Sequence, residues 1–181
     1  MSSEVLILGN GKSRSEIISR INSWKGEIWV CNWAFFESPI LPRIDRVYTV
    51  HKEVALSAYN YRMENQLDYL IIGREGKIDQ LFIQDKGWSS GNQALSDALL
   101  LGYDILVGGF DFGGEDMYQP KPVEGFNFRK QFEELRTMVP DFDERVTMIY
   151  PEGRKDDISY YHDGQWIHNR VQGNYVVPPE V

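Results

Sequence analysis

Residues 2–20 read SSEVLILGNGKSRSEIISR, and the fold turns on how this stretch is parsed. Its opening, Val5-Leu6-Ile7-Leu8, is a continuous apolar run of the kind shown by a strand buried on both faces. Gly9-Asn10-Gly11 follows, a turn that needs residues accepting positive φ or close backbone approach. Ser13 or Ser15 then caps a predicted helix carrying Ile17, Ile18 and Ile21 at helical spacing. Strand, glycine turn and helix N-terminus together present backbone N–H groups and a positive dipole end to an anion, usually a phosphate. The plainer alternative is a βα unit whose glycines only make a tight turn. Two stricter motifs fail. A Walker A loop needs glycine where Leu6 stands, and the dinucleotide fingerprint needs glycine where Arg14 stands.

The rest of the chain is consistent with one globular unit. It has 181 residues, 42% hydrophobic and 25% charged. No apolar run is long enough to span a bilayer, and Ser2, Ser3 and Glu4 do not resemble the basic start of a signal peptide. Cys31 is the single cysteine, which rules out an internal disulfide and a cysteine-based zinc site and makes a cytoplasmic location the expectation. A net charge of −8 argues against general nucleic-acid binding.

Further along, strands are predicted at residues 27–31, 46–50, 69–72, 81–83, 105–107 and 146–149, the last read as central. Helices are predicted at residues 54–66, 92–101 and 126–139, with Gly102 and Pro140 as stops. Trp24, Trp29 and Trp33 are assigned to the core. The alternation predicts an α/β, Rossmann-like, mainly parallel sheet with helices on both faces. Residues 1–150 form that domain. Residues 151–181 change character and form a polar, aromatic tail with a β-hairpin at Asp163-Gly164. The tail, with Tyr160, Tyr161, Trp166 and Tyr175, is read as an appendage on the domain edge or on a second subunit, so a homo-oligomer is one expectation. His162 and His168 are placed away from the pocket, facing solvent.

Ligands of an open parallel sheet bind beyond the carboxyl ends of its strands. Asn10, Asn32 and His51 follow the first three strands, Ser89-Ser90-Gly91 precede a helix, and Asp111 follows the strand at residues 105–107. Amides, hydroxyls, an imidazole and one carboxylate suit a polar ligand with phosphate, ribose and base edges. They suit a metal ion poorly, so no metal is predicted.

The series Leu8-Gly9-Asn10-Gly11-Lys12-Ser13, Val30-Cys31-Asn32-Trp33, Ser89-Ser90-Gly91, Leu101-Gly102-Tyr103-Asp104-Ile105 and Gly109-Phe110-Asp111-Phe112 resembles the bacterial family-42 sialyltransferases. It is also similar to the 6-hydroxymethylpterin diphosphokinase-like family. The resemblance covers roughly residues 4–150 and implies a Rossmann-like sheet that takes a cytidine nucleotide sugar as substrate, with no metal or other cofactor. Carried over by position, Gly9, Asn10, Gly11, Ser13, Asn32, Ser89, Ser90 and Gly91 hold the nucleotide. Asp111 contacts ribose or base, and Tyr118 assists the leaving group.

Four departures from the family pattern alter the catalytic side. The segment Lys121 to Arg129 lacks the family's histidine base. Gly87 stands where an arginine is expected, with Lys86 the nearest substitute. Gly113 replaces a tyrosine, and His51 occupies an asparagine position.

The leading reading is therefore a nucleotide-sugar-dependent transferase with an altered base. His51 is the first candidate base, Asp111, Glu115 and Asp116 are alternatives, and Lys12, Lys86 and Tyr118 support the leaving group. A second reading is a diphosphokinase-like enzyme using ATP and Mg²⁺ held through carboxylates. A third is a nucleotide-binding or interaction module without catalysis.

Overall fold

The computed structural model describes residues 3–149 and 160–167. Seven parallel strands form one sheet: β1 (Glu4–Leu8), β2 (Glu27–Cys31), β3 (Arg46–Thr49), β4 (Leu70–Gly73), β5 (Gln80–Leu81), β6 (Asp104–Gly108) and β7 (Val146–Ile149). Their spatial order is β5-β4-β3-β2-β1-β6-β7. The helices are α1 (Ile18–Asn22), α2 (Lys52–Asn65), α3 (Ser90–Leu100), α4 (Phe126–Met138) and α5 (Phe142–Arg145). A separate antiparallel hairpin pairs β8 (Tyr160–His162) with β9 (Gln165–Ile167). This is the predicted α/β, Rossmann-like architecture with its C-terminal hairpin.

The apolar runs explain why these strands are central. Successive side chains of a strand point to opposite faces, so β1 must be apolar throughout if both faces are covered. Val5 and Ile7 join a core that includes Ala94, Leu95 and Ala98 of α3 and Phe132 of α4. Leu6 and Leu8 join another that includes Ile17, Ile21 and, from α2, Val54, Ala55 and Ala58. All four β1 side chains are buried, which favours the folded state by about 1.5–3 kcal/mol for each.

Most predicted elements lie where the sequence placed them, within one or two residues. Strand β7 is the exception in topology, because it pairs only with β6 and forms an edge. Trp29 is fully buried, stacked on Tyr48 with centroids 5.3 Å apart. Trp24 and Trp33 are only half-buried against the core. Helix α3 ends before Gly102, whose φ of +84° is the expected left-handed stop. The hairpin turn has positive φ at both Asp163 and Gly164, the twist-matching geometry of a two-residue turn. The readings of His168, Tyr175 and the remaining tail fall outside the described residues. Among the described residues no helix is long and apolar enough to cross a membrane.

The chain runs from β1 outward through β2, β3, β4 and β5, then returns through α3 to β6 on the other flank of β1. The carboxyl ends of β1 and β6 are therefore the topological switch point, where diverging loops leave a crevice.

Candidate functional site

A cleft of about 300 Å³ opens at that switch point. Its floor and walls come from Gly9, Asn10 and Gly11 after β1, Cys31 and Asn32 after β2, Ser89, Ser90 and Gly91 at the start of α3, and the loop after β6. Gln119, Val123, Glu124 and Phe128 complete it. Of the residues singled out by sequence, Gly9, Asn10, Gly11, Asn32, Ser89, Ser90, Gly91 and Asp111 line the cleft, whereas Ser13, His51 and Tyr118 do not.

The glycines of the first turn are required by close approach. A Cβ on Gly9 would lie 2.6 Å from the Gly109 carbonyl oxygen, and one on Gly11 would lie 2.3 Å from Asp111 Oδ2. Asp111 Oδ2 accepts the Ser13 backbone N–H at 2.9 Å, and Oδ1 accepts the Ser13 hydroxyl. This corrects the expected helix start at Ser13 or Ser15. Residues Lys12–Ile17 form a 3₁₀ turn, α1 begins only at Ile18 without a side-chain cap, and a carboxylate of the protein takes the Ser13 donors.

The amides are held by partners that fix which atom faces the cleft. Asn10 Nδ2 donates to the Cys31 carbonyl at 2.9 Å, while its buried Oδ1 has no hydrogen-bond partner. Asn32, at φ +51°, accepts at Oδ1 from Thr49 Oγ1 at 2.9 Å and from Ser90 Oγ at 3.1 Å. Two donors on the oxygen orient the Nδ2 hydrogens away from that pair. Ser90 Oγ in turn accepts the Val50 N–H at 3.1 Å.

Helix α3 is anchored by buried polar side chains that sequence reasoning passed over. Asp97 accepts the Tyr48 hydroxyl at 2.9 Å and the Ile83 N–H at 3.1 Å. Gln93 ties down the loop before the helix, accepting the Lys86 N–H at 2.9 Å and donating to the Gln84 carbonyl at 2.9 Å. Gln131 of α4 accepts the Ser89 N–H at 3.0 Å, the Ser89 hydroxyl at 3.2 Å and Asn92 Nδ2 at 3.1 Å. Both serine hydroxyls are thus engaged within the protein, and Ser90 and Gly91, the first residues of α3, line the cleft with helix-terminal N–H groups that have no partner within the helix. Gly91 lets two rings close in, since a Cβ there would lie 3.0 Å from both Phe110 and Phe128. These rings meet edge-to-face at 5.1 Å and give the cleft an apolar wall.

Of the three expected catalytic residues, Asp111 lines the cleft, and His51 and Tyr118 do not. His51 precedes α2, is more than half exposed, and has Nδ1 3.9 Å from Glu53. It is the N-cap position of α2, with extended backbone and no side-chain cap hydrogen bond. The Tyr118 hydroxyl donates to Glu37, which also pairs with buried Arg14. Burial, followed by the Glu37 carboxylate, pushes that phenol well above its usual range.

The charged groups around the cleft are acidic but mostly engaged. Glu115 pairs with Lys12 at 2.7 Å. Burial raises the Asp116 carboxyl above the ordinary range despite the Tyr118 and Gln119 N–H groups pointing at it. Burial pushes the Cys31 thiol up to about 12, so it lines the floor as a neutral group. Among the described residues no group of three or more His, Cys, Asp and Glu side chains is placed to hold a metal ion. Lys86 stacks over Trp88 at 5.2 Å.

No protein-family model matches the sequence, and no curated protein matches it. Solved structures do resemble the fold. A sialyltransferase CST-II in complex with a trisaccharide acceptor and CMP has a TM-score of 0.60 at 18% identity, over 83% of this chain and 82% of that one. CstII from Campylobacter jejuni in complex with cytidine-5′-monophosphate, a substrate analogue, has a TM-score of 0.57 at 18% identity, over 98% of this chain and 95% of that one. These comparisons give no support to the diphosphokinase-like half of the resemblance. At this level of identity the likeness establishes the fold: the chain has the sheet architecture of the CstII sialyltransferases.

Proposed function

We propose that this chain is a metal-independent glycosyltransferase of the sialyltransferase kind, with a CMP-type sugar donor bound in the cleft between the ends of β1 and β6. The observation that carries this reading is the pair of pre-oriented amides, Asn10 and Asn32, beside the N-terminus of α3. Fold neighbours crystallised with CMP support it.

Asn10 Oδ1 is a buried acceptor awaiting a donor, such as a ribose hydroxyl or the cytosine amino group. The Phe110–Phe128 wall offers an apolar surface to a base. Asn32 Nδ2 and the first N–H groups of α3 supply neutral donors and a helix dipole for a phosphate.

In the reaction an acceptor hydroxyl oxygen bonds to the anomeric carbon of the sugar and gives up its proton to solvent water. The bond from that carbon to the phosphate oxygen breaks, and its electron pair leaves on CMP. Donors already aimed at that oxygen lower the barrier because they need no reorganisation. Nearby carboxylates oppose phosphate binding less than their number suggests. Glu115 is paired with Lys12, and burial shifts Asp116 toward its neutral form.

The test is release of CMP from CMP-sialic acid by the purified chain, with and without EDTA. Release above the blank, unchanged by EDTA, is the expected result. A second reading is a nucleotide-binding module without transfer, favoured by the absence of both His51 and Tyr118 from the cleft lining. CMP binding without turnover of CMP-sialic acid would establish it. Turnover that requires Mg²⁺ overturns the metal-independent reading.

A further inference from the structure

A hollow of about 320 Å³ lies along helix α4, outside the cleft at the switch point. Among the described residues its lining is Lys130, Glu133, Glu134, Thr137 and Met138, none of which lines the cleft. Their spacing repeats with the helical turn, so they share one face of α4.

Glu133 differs from the rest of that face. The other four lining residues are exposed, whereas Glu133 is 5% exposed and its Oε1 is buried with no hydrogen-bond partner. A buried carboxylate oxygen left without a donor is costly. The two nearby arginines do not supply one. Arg136 Nη1 lies 3.9 Å from Oε1, beyond hydrogen-bond reach, while its Nε and Nη2 donate to Asp143 at 2.8 and 3.2 Å. The Arg129 guanidinium sits over the Tyr160 ring, 5.1 Å from its centroid. Burial therefore keeps the Glu133 carboxyl above its ordinary range, and Arg136 and Arg129 offset this only in part.

We propose that this hollow is a binding site for a small primary organic ammonium ion, its N–H₃⁺ group on Glu133 Oε1 and its carbon chain against Met138, the Thr137 methyl and the Lys130 stem. The head group follows from the orphaned oxygen. That oxygen needs a donor, and a donor carrying positive charge also compensates the buried carboxylate. The charge of the lining agrees: Lys130 and Glu134 are of opposite sign, which leaves the charge of Glu133 as the net one. The same carboxylate disfavours a phosphate or nucleotide here. The apolar body follows from the walls, since Met138 is 58% exposed and the Lys130 stem is hydrocarbon up to its charged tip. The site does not depend on the chemistry of the cleft, and CMP has no part in its test.

The experiment titrates the full chain with n-butylammonium chloride at constant ionic strength, following the n-butyl protons by saturation-transfer NMR together with the melting temperature. Saturable transfer and a rising melting temperature are expected. Affinity is expected to fall at least about tenfold in Glu133→Gln, which keeps the shape and removes the charge. Met138→Trp, a change at an exposed position that fills the hollow, is expected to abolish the transfer while the far-UV circular dichroism stays that of the folded chain. n-Butanol has the same chain without the charge, and tetramethylammonium has the charge without an N–H donor. Both are expected to bind at least about tenfold more weakly. Transfer that does not saturate, affinity unchanged in either variant, or equal affinity for n-butanol or tetramethylammonium overturns the proposal.

Discussion

Asp111 grips Ser13 with both carboxylate oxygens, Oδ2 accepting the backbone N–H at 2.9 Å and Oδ1 the hydroxyl. The loop after β6 is thereby fastened to the loop after β1 across the switch point. Asp111→Ala strips two donors of their charged acceptor, at a cost of about 1.5–3 kcal/mol. A lower urea midpoint with an unchanged m-value is expected, and Asp111→Asn should recover part of the loss. An unchanged midpoint in the alanine variant contradicts the fastening.

Gly11 permits that grip. Gly11→Ala drives a Cβ to within 2.3 Å of Asp111 Oδ2, so the carboxylate must move. The expected result is a loss of about 1–3 kcal/mol in stability together with weaker CMP binding in calorimetry. Retained stability and affinity would show that the loop adapts freely.

Asn32 depends on two hydroxyls for its orientation. Ser90→Ala removes one and leaves the Val50 N–H without its acceptor. CMP affinity is expected to fall about tenfold, corresponding to about 1.4 kcal/mol. Thr49→Val should act in the same direction through the other hydroxyl. If neither changes affinity, Asn32 does not contact the nucleotide.

Glu133 gives a stability prediction away from the cleft. Burial holds its carboxyl above the ordinary range, against the pull of Arg136 and Arg129. The folded chain therefore binds this proton more tightly than the unfolded chain does. The cost of the ionised form is absent below the unfolded pKa and complete above the folded one. Glu133→Gln should raise the melting temperature at neutral pH, and the gain should vanish below about pH 4. A gain that does not vary with pH contradicts this origin.

Much of the scaffold was legible because its strands are short apolar runs. Val5 to Leu8 has no other comfortable setting than a strand covered on both faces, and the two cores confirm that alternation. The cleft's position followed from the same strand ends. What stayed hidden were pairings between distant residues. Ser13 lies before Ile17, Ile18 and Ile21 at helical spacing, so it reads as a cap, yet its partner is Asp111, far along the chain.

His51 was read only as a strand-end residue; it is also the N-cap position of α2, more than half exposed and outside the cleft lining. The hairpin at Asp163-Gly164 was readable from its turn chemistry, but its docking through Tyr161 onto Phe112 and Gly125 was not. The buried anchors Asn92, Gln93 and Asp97 gave a false impression, since polar residues on a helix usually face water.

The most direct measurement is calorimetric titration of the chain with CMP in EDTA, with UDP, GDP and ATP as comparators and Ser90→Trp as the blocked variant. Saturable binding of one CMP per chain, unchanged by EDTA and lost in Ser90→Trp, is the predicted result. No binding of CMP, or a preference for ATP that requires Mg²⁺, would contradict the account.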